Sequence, residues 1–99
     1  MYRSKFANED IDYLYEAILK LKSVEECYRF FEDLCTINEV LDMSQRLKVA
    51  KMLQAKKPYQ DITEKTKAST ATISRVNKSL IYGAEGYHLI FDRLDQEDK

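Results

Sequence analysis

Two glycines and one proline in 99 residues leave little material for tight turns, which speaks against an all-β fold. No apolar run approaches the roughly 18 residues that a membrane-spanning helix needs. The opening stretch "MYRSKFANED" lacks the apolar core of a secretory signal. The expected protein is therefore soluble and cytoplasmic. Cysteine is scarce as well: Cys27 and Cys35 lie eight residues apart, with no CxxC and a single histidine, His88. Buried, reduced thiols are expected rather than a disulfide, and neither a metal nor a cofactor is expected. The chain has no Ser/His/Asp set and no glycine loop to cradle a phosphate. His88 sits in the apolar run "YHLIF" and reads as a packing residue. The carboxylate pairs Glu25–Glu26 and Glu32–Asp33 fall on polar helix faces and read as solvated charge. An enzyme is not expected.

What is present begins with charge. The net charge of −1 conceals an uneven distribution. Residues 1–45 carry 5 basic and 10 acidic side chains, residues 46–78 carry 9 basic and 2 acidic, and residues 79–99 return to a balance of −3. A basic middle between acidic ends is the electrostatic footprint of a polyanion partner, or else a solvated lysine face. The length suits one domain, 1–99.

The hydrophobic spacing predicts an all-α fold of about six helices. Ile11, Leu14, Ile18 and Leu21 recur at helical intervals between Asn8 and Leu21. Ser23 and Glu26 form a capping box that opens a second helix, whose stripe is Val24, Cys27, Tyr28, Phe31, Leu34 and Cys35. Thr36 and Glu39 repeat the box and open a third helix running to about Ala55. That helix is apolar around much of its circumference: Val40, Leu41, Met43, Leu47, Val49, Ala50, Met52 and Leu53. A helix so apolar packs on two sides, and in a short chain the second side suits another copy of the chain. A homodimer is the expectation. Of the seven tyrosines, Tyr2, Tyr13, Tyr15 and Tyr28 lie in the acidic part, which suits core and dimer packing rather than base stacking.

Pro58 suits the first turn of a fourth helix of about two turns, with Tyr59, Ile62, Thr63 and Thr66 on one face. "KAS", Lys67–Ser69, is a tight connection. Ser69 is placed to cap a fifth helix whose apolar face is Ile73, Val76 and Leu80. After Tyr82 the two glycines mark a loop, followed by a short helix from about His88 to Leu94 and a frayed acidic tail. On a wheel of the fifth helix, Lys78, Ala71, Arg75 and Ser79 lie opposite Ile73, with Thr70 and Thr72 in the first turn. The outward face starts small and ends cationic. A short helix, a tight turn and such a second helix make a helix-turn-helix at about 58–81. Its second helix enters the DNA major groove N-terminus first. Ala71 and Thr72 can meet thymine methyls or base edges, and Arg75 can contact guanine through two hydrogen bonds. Lys65, Lys67 and Lys78 suit phosphates, which position a protein without specifying sequence. An interaction module that binds protein or RNA is the alternative.

"YQDITEKTKASTATISRVNKSL" resembles the helix-turn-helix of the Trp repressor superfamily, in which a Thr-Ile-Thr/Ser-Arg run opens the reading helix. "LCTINEVLDMSQRLKVAKML" is similar to that family's preceding helix. The "YG-x-x-GY" pattern at Tyr82–Tyr87 is similar to the YerC/YecD-like subgroup. The resemblance implies an intertwined helical homodimer that binds a two-fold symmetric operator, often as a repressor. In tryptophan-responsive members two arginines sandwich the indole of a corepressor. Arg75 matches one. Arg46 matches the other if one residue is deleted near Lys56–Pro58, whereas an ungapped alignment puts Gln45 there. Those members follow the reading-helix arginine with glycine, where this chain has Val76, whose branched side chain would crowd an indole. Tryptophan is therefore not the expected ligand, and the regulator is expected to work with or without a small-molecule corepressor of another kind. The family's turn glycine is Lys67 here, and a left-handed lysine costs roughly 1–2 kcal/mol, so a different turn geometry is expected.

Overall fold

In the computed structural model, which describes residues 2–97, six helices and no strand are found among the described residues. The chain divides into two compact units, one ending at Thr36 and the other beginning at Ile37.

The first unit holds α1 (Glu9–Ile18) and α2 (Val24–Leu34). Asn8 caps α1: its side-chain oxygen accepts from the Ile11 amide at 2.8 Å. Glu9, Asp10 and Asp12 place negative charge in the first turn, where the helix dipole favours it. The helix ends three residues before Leu21. The amides of Lys20 and Leu21 instead bond the carbonyls three residues back, at 3.0 and 3.1 Å, tightening the chain out of α-helical register. At α2 the expected capping box forms with a shift. The Glu26 amide donates to the Ser23 hydroxyl at 3.1 Å, but the Glu26 carboxylate accepts from the Lys22 amide, one residue before the cap, at 2.8 Å.

No residue of α1 or α2 is buried. Tyr13 is 74% exposed, Val24 73% and Tyr28 66%. Both thiols are free, Cys27 exposed and Cys35 half-buried, so the expectation of buried thiols does not hold within one chain. The same is true of core packing for Tyr2, Tyr13, Tyr15 and Tyr28. The apolar stripes read from the sequence exist, but they are covered only in part: Ile11, Leu14, Ile18 and Leu21 of the first stripe are half-buried, as are Phe31 and Cys35 of the second, whereas Val24, Cys27, Tyr28 and Leu34 are exposed.

The second unit carries the core. Helix α3 (Ile37–Gln54) starts directly after Thr36, followed by α4 (Tyr59–Thr66), α5 (Thr70–Tyr82) and α6 (Gly86–Glu97). Val49 and Ala50 of α3 are buried with Ile62, Ala68, Ile73, Val76 and Phe91, while Met52, Leu53, Leu80 and Tyr87 pack around them. Tyr87 and Phe91 stack at 6.1 Å, seating α6 on this cluster. Leu41, Met43 and Leu47 remain exposed, so α3 buries one side only within the chain.

Two departures concern helix ends. Pro58 is the N-cap of α4, in extended backbone, rather than a residue of its first turn. Helix α6 starts at Gly86 and runs through the acidic segment to Glu97, where a helix ending at Leu94 was expected. Leu94 is only the ninth of its twelve residues; Asp98 and Lys99 of the expected frayed tail lie outside the described residues. Gly83 ends α5, and there a side chain is excluded: a Cβ would fall against the Ser79 carbonyl oxygen.

Candidate nucleic-acid interface

The site is built from the C-terminal end of α3 and the α4–turn–α5 segment. Helix α3 finishes in left-handed Lys56, with the Lys57 amide donating to Met52 and the Lys56 amide to Leu53, at 3.1 and 3.0 Å. This pair of bonds is the Schellman pattern that glycine usually supports. The turn after α4 also passes through a left-handed lysine, but closes with the single bond of the simpler left-handed cap. Lys67 has φ 61° and ψ 14°, and its amide donates to the Thr63 carbonyl at 2.9 Å. The left-handed turn therefore forms despite the lysine, contrary to the expectation of a different geometry. Its support is local: the Thr66 hydroxyl donates to the Ile62 carbonyl at 2.7 Å and accepts from the Ala68 amide at 3.1 Å. Ala68, whose small side chain is buried, lets α4 and α5 close on one another.

Ser69 caps α5 as expected, accepting from the Thr72 amide at 3.1 Å. Its hydroxyl also donates to the Thr72 hydroxyl at 3.1 Å, and Thr72 is half-buried. Both hydroxyls are thus occupied in holding the helix start. Thr70, Ala71, Arg75, Lys78 and Ser79 are exposed along the outward face, as are Lys65 and Lys67 beside it. Ile73 and Val76 are buried on the opposite side, together with half-buried Leu80. Ser74 is exposed as well and was missed. It lies about 40° from Lys78 on the 100° wheel, so the same projection locates it.

The two candidate ligand residues differ in setting: Arg46 is half-buried on α3 and Arg75 exposed on α5. The α3 side chain that reaches the turn is Gln45, whose Nε2 donates to the Thr66 carbonyl at 3.0 Å. Val76 is packed in the core. No group of histidine, cysteine or carboxylate side chains suited to a metal occurs among the described residues, and none of their helices is long and apolar enough to cross a membrane. His88, from α6, hydrogen-bonds the Leu80 carbonyl through Nε2 at 3.0 Å. The imidazole thus caps a carbonyl at the end of α5, a structural task consistent with its reading as a packing residue.

The class defined by this geometry is an all-α protein with a helix-turn-helix whose second helix presents small and cationic side chains outward. Residues 9–95 match the Trp repressor protein family, and the chain belongs to it. The uncharacterized protein YerC of Bacillus subtilis (strain 168) is 48% identical over 98 residues, covering 99% of this chain and 94% of that protein. A TrpR-like protein from Eubacterium eligens ATCC 27750 is 57% identical, with a TM-score of 0.89, over 92% of this chain and 94% of the other. A candidate Trp repressor from Staphylococcus aureus is 49% identical, with a TM-score of 0.88, over 92% and 91%. The chain is accordingly a YerC-like member of the Trp repressor superfamily.

Proposed function

We propose that this protein is a sequence-specific DNA-binding transcriptional regulator, a repressor, that works as a cytoplasmic homodimer, with residues 1–99 acting as one domain. The observation that carries the reading is the outward face of α5. Its first turns are small, its middle is cationic through Arg75 and Lys78, and the helix is anchored behind by buried Ile73 and Val76. Thr70, Ala71 and Ser74 are the side chains offered to base edges. Arg75 reads guanine, worth about 1–3 kcal/mol of discrimination. Lys65, Lys67, Lys78 and Ser79 hold the backbone, and Ser69 and Thr72 keep the helix end shaped for the groove.

The homodimer is supported by the uncovered apolar side chains of α1 and α2 together with exposed Leu41, Met43 and Leu47 of α3. Exposed apolar side chains in each unit are candidates for an association surface, and the family resemblance supports a second copy as the partner. Tryptophan is not the ligand this reading assigns. Val76 is already in the core, and Gln45 stands where the ungapped alignment calls for an indole-clasping arginine.

The test is capture of sheared genomic DNA on the purified protein at two salt concentrations, followed by sequencing. A few enriched sites sharing a two-fold symmetric motif are expected. Six to ten phosphate contacts per dimer predict a loss of about 10³–10⁵ in affinity between roughly 50 and 200 mM salt. Arg75→Ala should relax preference at one position of the motif. Lys78→Ala should weaken all sequences alike and lower the salt slope by about 1 for each contact removed. Retention of a protein partner insensitive to salt, with no enriched DNA, would overturn the reading.

A further inference from the structure

The carbonyls of the last turn of a helix have no partner within that helix. In α4 one of these belongs to Thr66, the residue that opens the turn into α5. It is met from outside the helix-turn-helix: Gln45, 21 residues earlier on α3, donates to it through Nε2 at 3.0 Å in a part-buried setting. The next groups along the turn are closed by Thr66 itself, whose hydroxyl bridges the Ile62 carbonyl and the Ala68 amide. On the two sides of the turn, Ile62 and Ala68, then Ile73 and Val76, are buried with Val49 and Ala50 of α3. The tilt of the reading helix on α3 is therefore set by one directional bond and a packed apolar seam, both supplied by this chain.

We infer that Gln45 is a positioning residue that latches the helix-turn-helix onto α3 in the free protein, so that operator binding needs no small-molecule effector. The inference rests on the DNA-binding reading above and extends it to regulation. A glutamine suits the task because its amide donates to a carbonyl without bringing a charge into a part-buried site. A bound effector can raise affinity only by the fraction of molecules not already in the competent state. With the turn latched internally, that fraction is small.

The experiment selects sites from a random double-stranded DNA pool on protein refolded from denaturant to strip small molecules, with and without a small-molecule extract of the source cells. Equal enrichment of one motif in both arms is expected. Enrichment only with the extract overturns this inference and leaves the DNA reading standing; no enrichment in either arm overturns the reading itself. Gln45→Met then tests the latch, since it keeps the side-chain length and removes the donor. Amide-exchange protection at Lys67 and Ala68 should fall about three- to ten-fold, the equivalent of one modest hydrogen bond. Affinity for the selected motif should fall within the same range, while affinity for random DNA and the salt slope stay unchanged. Motif affinity and turn protection equal to the parent's would overturn the role assigned to Gln45.

Discussion

Lys67 shows how a single residue can be identified correctly and yet misjudged in conformation. Its place in the turn was plain from the two helical patterns on either side, but its backbone was not. A non-glycine residue resists the left-handed region, and the balance was tipped by Thr66, whose hydroxyl satisfies two backbone groups of the same turn. Such a three-way arrangement leaves no periodic trace in the sequence. The strain remains. Lys67→Gly should raise stability by roughly 0.5–1 kcal/mol, after the greater chain entropy of glycine is set against the relief. It should also weaken DNA binding by the loss of one phosphate contact; urea melts and salt-dependent titrations separate the two effects. The reverse holds at Gly83, where a methyl group meets backbone rather than a flexible side chain. Gly83→Ala should destabilise by about 1–3 kcal/mol in the same melts. Ser69 was legible because an N-cap needs a short hydroxyl side chain just before the first periodic residue. The engagement of Thr72 by that hydroxyl was not, because a second acceptor in the cap depends on rotamers.

At the scale of elements, the fourth and fifth helices were recovered nearly to the residue, since each carries one apolar stripe and a strong stop. Helix α6 was read too short. Its last turns are polar, and a polar stretch after an apolar run looks like a tail. Its Glu, Gln, Arg and Leu residues are nonetheless good helix formers, and Tyr87 and Phe91 dock the start of the helix on the core. A further tie is the His88 bond to the Leu80 carbonyl, which joins α6 to the end of α5. His88→Leu should cost about 1 kcal/mol and raise amide exchange in α6 more than in α3, because the lost bond leaves a half-covered carbonyl unmet. Ile73→Ala is the more severe change. It opens a cavity under the reading helix and should cost about 2–5 kcal/mol in denaturant unfolding.

For the molecule as a whole, the informative feature is where burial stops. The seven buried residues found among those described all belong to the second unit, while the α1 stripe is only half-buried and most of the α2 stripe is exposed. The sequence showed those stripes but could not say that one chain leaves most of the α2 stripe open, because periodicity reports a buried face and not what buries it. The homodimer reading predicts a solution mass of twice the 11.7 kDa chain. It also predicts a melting temperature that rises with protein concentration. Tyr28→Asp should shift sedimentation toward the monomer and lower the melting temperature, by placing a charge in the middle of the α2 stripe. A melting point independent of concentration would refute the association.

The exposed apolar side chains of α2 also bear on how much of this protein a cell can keep. Under the dimer reading, a chain made when few copies are present has no mate to shield its first helices, so it is open to proteases and chaperones. Survival then depends on meeting another copy before being degraded. The amount of regulator would not track its synthesis in proportion: below a threshold of production almost none would accumulate, and above it the pool would rise steeply. Any promoter it governs would inherit that threshold.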